Sequence, residues 1–220
     1  MAYQFDQDPE NHYLAAMGGQ PLNGTDDAFI LRYIASKPKE PNSYNFVLLG
    51  SSLFGRFKYM GKDLDIKRNP CILNLGMNLG GDRIQNVQSH IDKGLLHSLK
   101  HYQPNLRAIY IQMGDGNLTE TGLQKSDAEA YGRVIKSLRD ELPDVKIVIT
   151  AFFVQRGLSE AIIGEANKML KEIAEENGET VSFLPFGEDQ KEIMSDDRIH
   201  LNNLGYRKWS ELLVNDMKGR

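Results

Sequence analysis

The sequence predicts an α/β fold, a flavodoxin-like three-layer α/β/α sandwich with a five-stranded parallel sheet. Two observations predict it. Five short apolar runs are near-continuous rather than alternating, which suits strands buried on both faces. Amphipathic helical patterns separate them, and alternating strands and helices imply parallel pairing through crossover connections.

The first run is Asn45 to Leu49 and the second is Cys71 to Leu75. The third spans Ala108 to Met113, the fourth Val145 to Phe153, and the fifth Val181 to Pro185. Between them, Gln85 to Leu99 repeats apolar residues at spacings of three and four. Ser126 to Leu142 does the same, with Pro143 just beyond its end. Ser159 to Asn177 is a strong amphipathic pattern with Gly178 as its stop, and a last helix is expected from about Leu204 to Met217. Residues 1–44 are polar and rich in Gly, Pro, Asn and Asp, with a short helical patch from Asp27 to Ser36. They read as an N-terminal arm, packed on the domain or partly disordered, ahead of a single domain over residues 45–220.

Composition narrows the function. The chain has 220 residues, 40% hydrophobic and 25% charged, which is enough for one domain with a real core. A net charge of −4 with scattered Lys and Arg argues against a nucleic-acid partner. Cys71 is the one cysteine, so an intramolecular disulfide and a cysteine metal cluster are both excluded. The histidines show no tight metal-ligand spacing, so neither metal nor cofactor is expected. No apolar run approaches the ~20 residues that cross a bilayer. The opening residues lack the basic start and apolar stretch of a secretory signal, so a cytoplasmic protein is expected.

Parallel α/β sheets bind ligands outside the carboxyl ends of their strands. The residues just after each run therefore carry the functional evidence. Gly50-Ser51-Ser52-Leu53 follows the first run. A serine there lies at a strand-to-helix turn, near backbone N–H groups that favour negative charge. Read alone, either serine could be a helix N-cap. Phe54 stands where a G-x-S-x-G elbow needs glycine, which argues against an α/β-hydrolase turn. Gly76, Gly80 and Gly81 follow the second run, either as a flexible loop or to let backbone approach a ligand closely. Their spacing is not the dinucleotide fingerprint. Gly114-Asp115-Gly116-Asn117 follows the third run, either as a plain turn or as an amide donor. Near the C-terminus stands Asp197-Arg198-Ile199-His200, where either a carboxylate three residues ahead orients and stabilises an imidazole on a shared helical face, or Asp196 and Asp197 cap a turn and His200 is incidental.

The joint order Ser, Gly, Asn, Asp-x-x-His resembles the four-block pattern of the SGNH/GDSL hydrolases. Gly50 to Leu53 looks like their first block. Asn74-Leu-Gly76 through Gly81-Asp82 looks like the second, with about two extra residues. Gly114 to Asn117 is similar to the third, and Asp197 to His200 matches the fourth. Asn167 is placed like an asparagine common in their penultimate helix. The resemblance covers about residues 45 to 215. Within the family it is nearest to the catalytic subunits of intracellular platelet-activating-factor acetylhydrolase. It implies a serine ester hydrolase acting on a short-chain, acetyl-like ester of a small molecule or lipid. Ser52 is then the nucleophile, His200 the base and Asp197 its orienting partner, with the oxyanion held by the N–H groups of Ser52 and Gly81 and by an asparagine side chain. The resemblance also suggests homodimers.

Two positions depart from the family pattern. Ser51 replaces the usual aspartate, which is not a triad member. Ungapped alignment puts Gly116 in the place of the oxyanion asparagine, so Asn117 is expected to reach the site through a loop one residue longer. Two other readings stay open on the same fold: a catalytically weakened binding or assembly subunit, and a sugar O-acetyl esterase or acyltransferase. A flavodoxin-like FMN binder would share the sheet without needing Asp-x-x-His.

Overall fold

The computed structural model describes residues 33–35, 44–60, 63–76, 83–187, 190 and 192–220. Five strands form one sheet in the order β2-β1-β3-β4-β5, every neighbouring pair parallel. They are β1 Phe46–Gly50, β2 Ile72–Asn74, β3 Ala108–Gln112, β4 Lys146–Thr150 and β5 Val181–Leu184. This is the flavodoxin-like order, whose switch point falls between β1 and β3. Each predicted run supplies one strand. The fourth is shorter than its run because Ala151, Phe152 and Phe153 leave the ladder while staying buried.

Strand side chains alternate between two apolar layers, as a pleated strand requires. Val47, Leu49, Ile109, Ile111, Ile147 and Ile149 face one layer. It is covered by α3 (Ile84–Asp92), α4 (Leu95–Tyr102), α5 (Lys125–Glu141) and α6 (Glu160–Glu176). Phe46, Leu48, Ala108, Tyr110 and Val148 face the other. There the cover is α1 (Ser52–Gly55), α2 (Asp65–Arg68) and α7 (Asn203–Lys218), with the Phe54 and Trp209 rings stacked at 4.8 Å. Both faces are thus buried, which explains why the runs are continuous in sequence.

The helix predicted over Gln85 to Leu99 is two helices. Gly94 sits at φ +99, a left-handed conformation that ends α3 and lets α4 start on a new axis. Of the predicted arm, residues 33–35 form a helical turn, with Tyr33 and Ile34 buried against the first layer. The rest of the helical patch, Asp27 to Ser36, lies outside the described residues. No helix among the described residues is long and apolar enough to cross a membrane.

Candidate active site

The site is built at the carboxyl edge of β1, where the switch point opens a crevice. Gly50 ends β1 at φ +140, and a Cβ there would meet the Gln112 carbonyl oxygen at 1.8 Å. Glycine therefore permits the turn and the close approach of β3. Ser51 N–H then donates to that same Gln112 carbonyl at 2.7 Å. Ser51 is the N-cap of α1: its Oγ accepts from Leu53 N at 3.2 Å and donates to Gln112 Oε1 at 2.6 Å. With the cap role taken by Ser51, Ser52 becomes the first residue of the helix.

The second block buttresses this turn. Asn74 Nδ2 donates to Phe54 O at 2.8 Å, and its Oδ1 accepts from Gly76 N at 2.8 Å. A Cβ on Gly76 would meet Gly55 N at 2.3 Å, so the block packs directly onto α1. Gly81 lies outside the described residues.

The fourth block approaches from the far end of the chain. Ser52 Oγ and His200 Nε2 are 3.0 Å apart. His200 Nδ1 lies 2.8 Å from Asp197 Oδ2, and a proton on Nδ1 satisfies both contacts. The segment is a bend rather than the helical turn expected from the spacing. Asp197 Oδ1 replaces helical hydrogen bonds by accepting from Ile199 N and His200 N, both at 2.9 Å, and from Ser195 Oγ at 2.6 Å. Arg198 takes a left-handed φ of 52° within it. Burial alone would raise the Asp197 carboxyl. The Ser195 hydroxyl and the His200 and Ile199 donors outweigh it and hold the group well below the usual carboxylate range. The Asp197 side chain is 41% exposed and that of His200 15%, so solvent reaches the carboxylate more than the ring.

The base of this segment is pinned by Asn202, the N-cap of α7. Its Nδ2 donates to Glu192 O and Met194 O, and its Oδ1 accepts from Gly205 N. Asn167 plays a similar part at the end of β4, bonding both the N–H and the carbonyl of Phe152.

The third block departs from the expectation. Asn117 is buried, and its amide is fully engaged. Oδ1 accepts from Ile84 N at 3.0 Å, while Nδ2 donates to Asp127 Oδ1 at 2.7 Å and to Gln85 Oε1 at 3.1 Å. Both N–H groups are spent, so the extra-residue loop does not deliver Asn117 as an oxyanion donor here. It ties the third block to the start of α3 instead.

Sequence reading passed over several residues around the site. Asp115 Oδ1 accepts from Gln112 Nε2 at 3.3 Å and from Gln155 Nε2 at 3.1 Å, extending the Ser51–Gln112 contact across the ends of β1, β3 and β4. Arg56 Nη2 lies 3.6 Å from Asp197 Oδ2. Gln112, Gln155 and Arg56 lie outside the four blocks, and Asp115 lies within the third. Strand-end position is the one signal that could have flagged Gln112 and Gln155. Among the described residues, no group of three His, Cys, Asp or Glu side chains could hold a metal ion.

Fold and sequence together define a carboxylic ester hydrolase. The sequence matches the GDSL-like Lipase/Acylhydrolase family over residues 57–208, more than half of the chain, and the protein belongs to that family. The match takes in Asp197 and His200 and begins just beyond Ser52. No curated protein sequence matches the chain. Among solved structures, a proposed platelet activating factor from Streptococcus pneumonia is similar, with a TM-score of 0.64 at 16% identity over 95% of this chain and 99% of that one. The lipase/acylhydrolase of Enterococcus faecalis gives 0.59 at 16% identity, over 80% and 96%. The psychrotrophic esterase EstA of Pseudoalteromonas gives 0.59 at 13%, over 80% and 97%. At these identities the likeness is one of fold.

Proposed function

We propose that the protein cleaves a short-chain acyl ester through Ser52, His200 and Asp197. The observation that carries the reading is the run of contacts from Ser52 Oγ to His200 Nε2 to Asp197. Ser52 Oγ attacks the ester carbonyl carbon while His200 Nε2 takes its proton. The tetrahedral intermediate collapses, the C–O bond to the alcohol breaks, and His200 returns the proton to the leaving oxygen. Water then repeats the sequence on the acyl-enzyme, releasing the acid and freeing Ser52. Asp197, held ionised by its donors, keeps the imidazole oriented and stabilises its charged form.

The oxyanion falls to the N–H of Ser52, at the start of α1; the family resemblance gives the second donor to Gly81, which lies outside the described residues. With Asn117 engaged elsewhere, the third block does not supply that donor, and one such donor is worth roughly 100- to 1000-fold in turnover. A slow hydrolase follows. The same observation favours a second reading, in which the site chiefly binds and the chain serves as an assembly subunit. Hydrolysis of p-nitrophenyl acetate by the parent and by Ser52→Ala separates the two. The first reading expects turnover that Ser52→Ala abolishes, and the second expects none in either.

A further inference from the structure

We propose that Arg56 is a positioning residue that sets the pH at which His200 becomes a competent base, an inference that rests on the triad reading above. Ser52 opens α1 and Arg56 opens the 3₁₀ turn that directly follows it, four residues on. That spacing puts both on one side of the helical segment. The segment therefore meets the 195–200 bend twice: Ser52 Oγ reaches His200 Nε2 at 3.0 Å, and Arg56 Nη2 reaches Asp197 Oδ2 at 3.6 Å.

Oδ2 is also the oxygen that bonds His200 Nδ1, at 2.8 Å. The other carboxylate oxygen is already occupied by Ser195, Ile199 and His200 backbone or hydroxyl donors. Guanidinium and imidazole thus share one oxygen. When His200 takes a proton it becomes a second cation beside a carboxylate that Arg56 has partly neutralised. Arg56 opposes that charge and favours the neutral, base-competent ring.

Other charged or titratable groups face this cluster. Asp196 and Arg198 flank Asp197 on the bend, and Arg156 reaches it through its N–H, which donates to Arg198 O at 2.8 Å. Tyr206, from α7, is kept neutral by burial and feels the charges of Arg56, Asp197 and Asp115. Of these, Arg56 is the cation in ion-pair range of Asp197. Its side chain is 35% exposed, so solvent and salt screen the effect.

The test is the pH profile of kcat/KM for the parent, Arg56→Gln, Arg56→Met and Arg56→Lys, together with the NMR titration of the His200 ring. Either neutral variant should move the acid limb and the ring titration to higher pH. Arg56→Lys, which keeps the charge, should stay nearer the parent. Superimposed curves for parent and neutral variants overturn the proposal, as does a lysine variant shifted as far as the neutral ones. A parent that hydrolyses no ester overturns the triad reading instead, and the ring titration still reports the effect of Arg56.

Discussion

Ser52 Oγ and His200 Nε2 lie 3.0 Å apart although 148 residues separate them in the chain. Two local devices bring them together. Gly50 lets the chain turn sharply off β1, and the Asp197 carboxylate folds the 195–200 bend by capturing its backbone N–H groups. The parallel sheet supplies the rest, since it puts the ends of β1 and β3 side by side at the crevice.

Hydrolysis should fall as acid protonates His200, because the ring must be neutral to accept the serine proton. The depressed Asp197 carboxyl sets the sign at the acid end. Its favourable contribution is present above the ordinary carboxylate value of ~3.9 and is lost only as pH falls through its lower folded value. Activity lost on mild acidification, above the ordinary carboxylate range, should therefore return on readjustment, without unfolding. Rate measurements paired with circular dichroism check this. His200→Ala should remove both the limb and most of the activity, and unchanged turnover in that variant would refute the triad.

Asn117→Ala should act on stability rather than on chemistry. It strands the buried Ile84 N–H and takes a donor from the half-buried Asp127 and the exposed Gln85, at a cost of about 1–3 kcal/mol. For a chain of this size the Tm should fall by roughly 2–10 °C. Turnover of the folded variant should stay within a few-fold of the parent, whereas loss of an oxyanion donor would cost roughly 100-fold or more. Asn117→Asp should be worse, because it sets a second carboxylate against Asp127. Thermal melts with kcat measured well below Tm distinguish the two roles.

Gly50→Ala should fail to fold or should lose most of its activity. Its φ of +140 resists any side chain, and the added carbon would collide with the Gln112 carbonyl. Ser51→Ala keeps the backbone and loses the cap and the Gln112 contact, so it should cost about 1 kcal/mol and leave a working enzyme. A Ser51→Ala variant as inactive as Ser52→Ala would contradict the division of labour between the two serines.

The sheet and its layers were legible in the sequence because two-sided burial leaves continuous apolar runs, as in Ile147 to Ile149. The break at Gly94 was not, since one glycine within a periodic pattern does not reveal its φ. Asp197 and His200 were legible as a spaced pair, though not the Asx-type bend that joins them. Asn117 was misread because residue type and loop position do not reveal hydrogen-bond partners. Those partners come from α3 and α5, which the chain order does not place next to the third block. Arg56 carried no signal at all, because its partner lies beyond the fifth strand in sequence.

The reading of Ser52 as nucleophile is tested most directly by covalent labelling. Purified protein would be treated with a fluorophosphonate at neutral pH, and the modified peptide located by mass spectrometry. The contacts of Ser52 with His200 and of Ser51 with Gln112 predict a single adduct on Ser52 that disappears in His200→Ala. An adduct on Ser51, or no adduct in protein that still hydrolyses esters, would contradict it.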